Sequence, residues 1–264
     1  MRKIKLSLVM PVRNEGINLK MMLKILKATM EMSHEVLVVC DDERDNSIPI
    51  VKEVQKDYPG LKLVINRYGR GVANAIRAGA ENAKGEYVFI IVADDTGPVL
   101  AVERMVEMMD MGYDFVSATR YSNGGRVYGG SFFERIFSRT ANIFFRILAG
   151  AKLTDSTVGF KMFRPDFLKR VKLEGRPIGW LVAFEMSIKA QFSGVRMGEV
   201  PIISINRFYG GKSSFKLKAW TKEYLKWFFR GVWMLRMKTP PIKTSDGGTA
   251  LKTLSPEQRK RGLI

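Results

Sequence analysis

Cysteine is nearly missing from this chain of 264 residues: Cys40 stands alone. No internal disulfide can form and no cysteine metal site can be built, which fits a reducing compartment, and Cys40 itself reads as a small apolar strand residue. Histidine is as scarce. His34 is the single one and has no partner at catalytic spacing, so it reads as a surface residue rather than a general base. Long hydrophobic runs are missing too: the longest, residues 87–93 and 36–40, fall well short of the ~20 residues that span a bilayer. Near the start, Arg2, Lys3 and Lys5 precede apolar residues 6–12. Arg13, Asn14 and Glu15 then stand where a small-residue cleavage site would be needed, so no signal peptide is expected.

What the second half lacks is acid. Up to Asp114 the chain has 16 basic and 17 acidic residues, net −1; beyond it there are 28 basic and 9 acidic, net +19, consistent with +18 for the whole. A neutral half joined to a basic half suggests that one folds around a small-molecule site. The other would meet something anionic: nucleic acid, an anionic membrane face or a phosphorylated substrate. Hydrophobic residues make up 46% of the sequence, enough for the core of one large or two small domains, and this excludes global disorder.

Apolar, β-branched stretches at 6–12, 35–40, 61–65 and 87–92 read as buried strands. Helical patterns fall between them: 17–26, with Asn14 as its cap, 48–58, stopped by Pro59-Gly60, and the alanine-rich 71–83. Pro98 suits the first turn of a further helix that reaches Met111. This alternation implies an α/β fold, a mostly parallel central sheet flanked by helices. Ligands of such sheets sit beyond the carboxyl ends of the strands, where residues 11–15, Asp41-Asp42 and Asp94-Asp95 all fall. After a short strand at 115–119 the alternation breaks. A glycine-rich loop (123–130), a helix (132–149), a loop (155–160), a helix (180–192), a strand (198–205) and a helix (217–235) come next.

Several features could carry chemistry. Ala93-Asp94-Asp95 ends the most hydrophobic strand, where two carboxylates suit a divalent cation bridging a diphosphate; a turn whose aspartate caps the next helix is the plain alternative. Asp41-Asp42 could bind a nucleotide or be a solvated loop. Gly69-Arg70-Gly71 is no dinucleotide fingerprint, because Asn74 occupies the third glycine position; a basic loop beside phosphate fits better. On the 132–149 helix, a step of about 100° per residue puts Arg135, Ser138, Arg139, Asn142 and Arg146 on one stripe. Phe133, Ile136, Phe137, Ile143, Phe144, Ile147 and Leu148 lie opposite. Three arginines without acidic partners along the stripe favour anion binding over simple solvation. The 217–235 helix sets Lys218, Lys222, Lys226 and Arg230 against Trp220, Tyr224, Trp227, Phe228 and Leu235, with Phe229 and Trp233 on the basic side. That composition suits a helix lying in the headgroup layer of an anionic leaflet, with a core-packing helix as the competitor.

Taken in order, these residues resemble the family-2 glycosyltransferases of the GT-A fold, and within them the polyprenyl-phosphate sugar transferases of the dolichol-phosphate mannosyltransferase kind. The likeness spans about 6–216. It rests on Pro11-Val12-Arg13-Asn14-Glu15, residues 35–42, Gly69-Arg70-Gly71 to Gly79, Ala93-Asp94-Asp95 and Thr119-Arg120-Tyr121 with Gly124-Gly125. Further on come Arg135/Ser138/Asn142, residues 155–160, and Glu199-Val200-Pro201-Ile202 leading to Arg207 and Gly211-Lys212-Ser213. The resemblance implies inverting transfer of a hexose, mannose or glucose, from a nucleoside diphosphate sugar to a polyprenyl or dolichyl phosphate. By that likeness Pro11, Val12, Asn14, Glu15, Asp41, Arg70 and Ala93 are nucleotide-sugar contacts, together with Asp94 and Asp95. Asp95 matches the second acid of the family's Asp-x-Asp metal motif and Ala93 stands at the first, so Mg²⁺ or Mn²⁺ on Asp95 and Asp94 is implied. Arg120, Arg135, Ser138, Arg207 and Lys212 are implied ligands of the acceptor phosphate, with Arg120 joining the two acids at the catalytic centre. A phosphate acceptor already carries an oxyanion at neutral pH and needs no dedicated base. The acidic 41–47 loop replaces a small-residue turn usual in the family, and both GDP and UDP donors stay open.

The expected organisation is a GT-A catalytic domain over 1–216, an amphipathic basic-aromatic helix over 217–237 and a flexible polar tail over 238–264. The basic half would face an anionic membrane on its cytoplasmic side, attached peripherally or through a membrane-anchoring subunit, with no nucleic acid as partner. Two rivals remain. A saccharide or protein hydroxyl as acceptor would need a base, for which Asp155 is the candidate; a nucleic-acid-binding protein would use the basic half and its aromatics but leave the acidic strand ends unexplained.

Overall fold

The computed structural model describes residues 3–129, 131–205 and 217–237. The alternation read from the sequence is present: strands β1 (Leu6–Val12), β2 (His34–Cys40), β3 (Leu61–Ile65), β4 (Tyr87–Ile90) and β5 (Phe115–Thr119) are separated by helices α1 (Gly16–Thr29), α2 (Ser47–Val54), α3 (Val72–Asn82) and α4 (Val102–Asp110). After these come β6 (Arg126–Tyr128), α5 (Phe132–Ala149), β7 (Lys161–Phe163), α6 (Asp166–Arg170), α7 (Leu181–Phe192), β8 (Met197–Pro201), β9 (Ile203–Ile205) and α8 (Leu217–Met237). The second helix ends at Val54 rather than at residue 58, and the stretch 198–205 is two strands rather than one. β8 pairs with β5, and β9 leaves the main sheet to pair with β6.

The main sheet runs β3-β2-β1-β4-β7-β5-β8. All its pairings are parallel except those of β7, which lies antiparallel to both β4 and β5. That reversal matters for the site. The parallel strands deliver to one edge the residues beyond their carboxyl ends, whereas β7 delivers there the residues that precede it, 155–160. Both faces of the sheet are covered, so its central strands are mostly apolar, with Ser7, Glu35, Ser117 and Lys161 as buried polar exceptions. Leu8, Met10, Val36, Val38 and Phe89 pack under α1, α2 and α4, while Val9, Leu37, Val39, Val88 and Ile90 pack under α3 and α7.

A third cluster joins α5, α7 and α8 through Phe145, Ala149, Leu181, Phe184, Ile188, Trp227 and Met234. The Arg236 guanidinium donates to the carbonyls of Ile147 and Leu148, satisfying acceptors that the end of α5 leaves unpaired. Helix α8 therefore packs on the protein through its Trp227 side, as the core-packing reading requires, while Leu225, Phe229, Trp233 and Met237 stay exposed on the other.

Helix α5 is turned the other way from a core helix. Its buried residues are Asn142, Phe145 and Ala149, and eight large apolar side chains on its opposite side are exposed, Phe133 at 80% and Ile147 at 64%. No helix among the described residues is long and apolar enough to cross a membrane.

Candidate active site

The carboxyl ends of β1, β2 and β3 form one side of the site. Val12 pairs with Cys40, so the segments leaving β1 and β2 emerge together. Asn14 does not cap α1; it has φ 56, and the helix begins at Gly16. This unusual backbone is held by Asp45, buried at 6% exposure, whose two carboxylate oxygens accept the Asn14 amide at 3.1 and 3.0 Å. Asp45 also accepts the Ser47 amide at 2.8 Å, and Ser47 Oγ accepts the Glu15 amide at 3.1 Å. Neither Asp45 nor Ser47 stands out in the sequence as a site residue. The signal is an aspartate two residues before a serine, the pattern of a side chain capping its own turn.

Asp41 faces inward along the same edge. It accepts Asn66 Nδ2 at 2.7 Å and the Gly71 amide at 2.9 Å, which fixes the loop into α3. Gly71 has φ 124, and a Cβ there would lie 2.7 Å from Pro177, so only glycine fits. Arg70 reaches Asp42 at 3.1 Å, and Asp42 is held below the usual carboxylate range by the Arg44 amide first and Arg70 second. Pro11 is half-buried, whereas Val12 and Ala93 belong to the core and offer a ligand little beyond their backbone.

The acidic pair after β4 divides its duties. Asp95 is 3% exposed; its Oδ1 accepts the amides of Ile205 (2.9 Å) and Gly97 (3.2 Å), and Oδ2 accepts the Ser204 hydroxyl. Gly97 is pressed so close to β9 that a Cβ would sit 1.6 Å from the Ile203 carbonyl oxygen. Burial pushes the Asp95 carboxyl up, against these hydrogen bonds. The Asp95 oxygens, expected from the sequence to hold a metal, here hold β9. Asp94 is the partly exposed member of the pair. Among the described residues no group of three or more His, Cys, Asp or Glu could hold a metal by itself. One carboxylate plus diphosphate oxygens is nevertheless an ordinary donor set for Mg²⁺ or Mn²⁺, and the all-oxygen chemistry of this turn fits it.

On the far side, residues from β5, α5 and the segment before β7 meet. Arg120 clasps Asp155 through Nε (2.7 Å) and Nη2 (3.0 Å) and also reaches Thr157 Oγ1 at 3.3 Å. Asp155 is fully buried and Arg120 is 21% exposed. Burial alone would raise the Asp155 carboxyl, but the Arg120 charge outweighs it and holds the group below the usual range. In this side-on fork Nη1 carries two further N–H groups on the side away from Asp155. Tyr121 donates to Ser138 Oγ at 2.9 Å, and Asn142 donates to Thr157 at 2.9 Å while accepting the Ser156 amide at 2.8 Å. Arg135 spans to the carbonyls of Val127 and Gly129 at 3.3 and 3.4 Å. Glu199 accepts the Thr154 and Asp155 amides at 2.8 and 3.1 Å. The structure thus brings Ser138 beside Arg120 through Tyr121, leaves Arg135 one turn before Ser138 on α5 and bonded to the Val127 and Gly129 carbonyls, and adds Tyr121, Asn142, Thr157 and Glu199, which the sequence shows only as motif members. Arg207 and Lys212 lie outside the described residues, as do Gly211 and Ser213.

Asp155 cannot act as the base that a hydroxyl acceptor would need: it is sealed, paired and acidic. Its structural role is testable. Asp155→Asn leaves the Arg120 charge uncompensated and is expected to cost about 3–5 kcal/mol, a fall in melting temperature of roughly 6–20 °C at about 2–4 °C per kcal/mol. The ion pair stabilises fully above the unfolded aspartate value of ~3.9 and less as pH falls toward the lower folded value. The gap between variant and wild type in thermal melts should therefore narrow on acidification.

A mostly parallel central sheet flanked by helices, with acidic and basic groups gathered beyond its strand ends, is the GT-A arrangement of nucleotide-diphospho-sugar transferases. The chain belongs to glycosyl transferase family 2, whose sequence model matches residues 7–172. It is 29% identical over 231 residues to a dolichol-phosphate mannosyltransferase of Pyrococcus furiosus, covering 86% of this chain and 63% of that protein. It is 30% identical over 192 residues to the uncharacterized glycosyltransferase YkcC of Bacillus subtilis, covering 69% of this chain and 57% of that one. The chain thus spans less than two thirds of the length of these curated relatives. Among solved structures, glucosyl-3-phosphoglycerate synthase of Mycobacterium tuberculosis in complex with Mn²⁺, UDP and glucosyl-3-phosphoglycerate superposes with a TM-score of 0.65 at 16% identity, covering 87% of this chain and 80% of that one. The same enzyme with Mg²⁺ and UDP gives 0.64 at 16% identity, covering 87% and 79%. At that identity the likeness is one of fold.

Proposed function

We propose that this chain transfers a hexosyl group from a nucleoside diphosphate sugar to a polyprenyl phosphate at the surface of an anionic membrane. The observation that carries this reading is the double character of α5. Its inner side supplies Ser138 and Asn142 to the site, and its outer side exposes Phe133, Phe137, Phe144 and Ile147. One helix thus sets polar groups against an apolar surface, as an acceptor with a charged head and a hydrocarbon tail requires. Large exposed apolar patches mark interaction surfaces, and exposed Arg139 and Arg146 on α5, with Lys222 and Lys226 on α8, suit anionic headgroups. The dolichol phosphate and mannose in the name of the Pyrococcus furiosus relative agree with this acceptor and favour mannose as the sugar.

The donor nucleotide lies along residues 11–15, Asp41 and the Arg70-Gly71 loop. Asp94 and Asp95 are the residues that would hold a divalent cation, which would supply positive charge to offset that building on the leaving group. Arg120 Nη1, Arg135 and the Tyr121–Ser138 pair receive the acceptor phosphate, joined by Arg207 and Lys212. Because the phosphate oxyanion attacks without deprotonation, the protein's task is to align it opposite the leaving diphosphate, which inverts the anomeric carbon.

The test is a transfer assay with Mg²⁺ or Mn²⁺, radiolabelled GDP- and UDP-sugars, and liposomes with or without polyprenyl phosphate. Label should enter organic solvent only when the lipid phosphate is present. Label transferred instead to a saccharide or protein would overturn the acceptor assignment.

A further inference from the structure

Lys161 lies in β7 at 0% exposure, directly behind the segment that carries Asp155, and no catalytic step uses it. Its ammonium donates to Ser117 Oγ at 2.8 Å and approaches the Ser156 carbonyl at 3.5 Å. The same Ser156 carbonyl accepts Ser187 Oγ from α7 at 2.8 Å, and the Ser156 amide is held by Asn142 of α5. Lys161 therefore braces from below the turn whose upper side binds Arg120.

The charges around it come from three elements. Asp155 precedes β7, Glu199 lies on β8 and Arg120 comes just after β5; the first two attract the ammonium and the third repels it. On α7, Glu185 and Lys189 are paired with each other at 2.8 Å. On α4, the charges of Glu103, Arg104, Glu107 and Asp110 lie toward the surface, Arg104 paired with Glu107. β4 carries no charged residue between its ends. With Lys161 protonated, two acids face two cations. With it neutral, Asp155 and Glu199 both act on Arg120 alone.

We propose that Lys161 is a positioning residue for the acceptor phosphate: protonated beneath the 155–157 turn, it shares the negative charge of Asp155 and Glu199 and so leaves the Arg120 guanidinium able to attract a second anion. This rests on the reading that Arg120 faces the acceptor phosphate. Burial lowers Lys161 to about 7 despite the two acids, so the balance switches within the neutral range. Below that value the cluster is neutral and the acceptor is held; above it the cluster gains a net negative charge and repels the acceptor.

The experiment measures kcat and KM for polyprenyl phosphate in liposomes, and the melting temperature, on both sides of pH 7 for wild type, Lys161→Met, Lys161→Arg and Ser117→Ala. Wild type should show KM rising on the order of ten-fold through the neutral range, a size set by one charge acting across a buried cluster. Lys161→Met should have the high KM at every pH with kcat little changed, and Lys161→Arg the low KM without the step. Ser117→Ala, nearly isosteric, removes the nearest acceptor for the ammonium and should move the step to lower pH; it keeps the test open if arginine does not fit the buried space. The acceptor's own second ionisation is common to all four proteins. A purely structural lysine would instead lower melting temperature and kcat without reshaping the KM profile. A stable Lys161→Met with the wild-type profile, or an unmoved step in Ser117→Ala, overturns the inference. If wild type transfers sugar but never to polyprenyl phosphate, the acceptor reading fails and takes this inference with it.

Discussion

Asp94→Asn is expected to lower sugar transfer by roughly 10²–10³-fold, the scale of removing one group that stabilises developing charge in a closed site. The melting temperature should change little, since Asp94 is partly exposed and surface substitutions usually fall within about 0.5 kcal/mol. The loss should appear in the metal requirement, with the variant needing far more Mg²⁺ or Mn²⁺ to reach half its maximal rate. Asp95→Asn makes the contrast. Asparagine keeps one oxygen for the Ile205 and Gly97 amides, and its NH₂ can donate to Ser204, so β9 stays in place. Removing a desolvated carboxylate also relieves the strain that pushes it up. Its effect should be nearer ten-fold, about 1.4 kcal/mol, with a smaller change in metal requirement. Metal titrations of both variants decide the matter: a weaker metal response in Asp95→Asn than in Asp94→Asn would make Asp95 the principal ligand.

The strand ends of β1, β2 and β4 were legible from the sequence because burial on both faces makes these parallel strands largely apolar runs, and the residues just past such a run lie at the ligand edge. The same logic failed for β7. Three residues beginning with a lysine have no periodicity to read, and only the antiparallel direction explains why Asp155 reaches the site ahead of the strand. Helix α5 exposes a different limit. An amphipathic pattern gives the angle between two faces but not which one turns inward, and here the polar stripe splits: Ser138 and Asn142 point into the site while Arg139 and Arg146 stay outside. Asp45 and the unequal pair Asp94 and Asp95 were hidden for a third reason. Carboxylates that hold backbone amides look the same in a sequence as carboxylates that hold ligands, and only the burial and hydrogen bonds of the fold separate them.

The orientation of α5 carries the second large effect. Replacing Phe133, Phe137 and Phe144 together by serine should leave stability nearly unchanged, because these side chains are 80%, 55% and 55% exposed. Phenylalanine gains ~1.5–3 kcal/mol on full burial. Rings that are half or more exposed would gain at least about 1 kcal/mol each on entering a leaflet, so the triple variant should bind liposomes about 10²-fold more weakly. Transfer to polyprenyl phosphate in liposomes should fall with it. Transfer to a short, water-soluble isoprenyl phosphate should not, since the inner side of α5 is untouched. Salt separates the two contributions to binding: the exposed cations of α5 and α8 act through about 1 kcal/mol per charge at an anionic surface and weaken as ionic strength rises, whereas the aromatic contribution does not. A triple variant that still binds anionic liposomes like wild type in high salt would place the membrane contact elsewhere. A wild type that never sediments with liposomes would mean that this apolar side is covered by another protein chain.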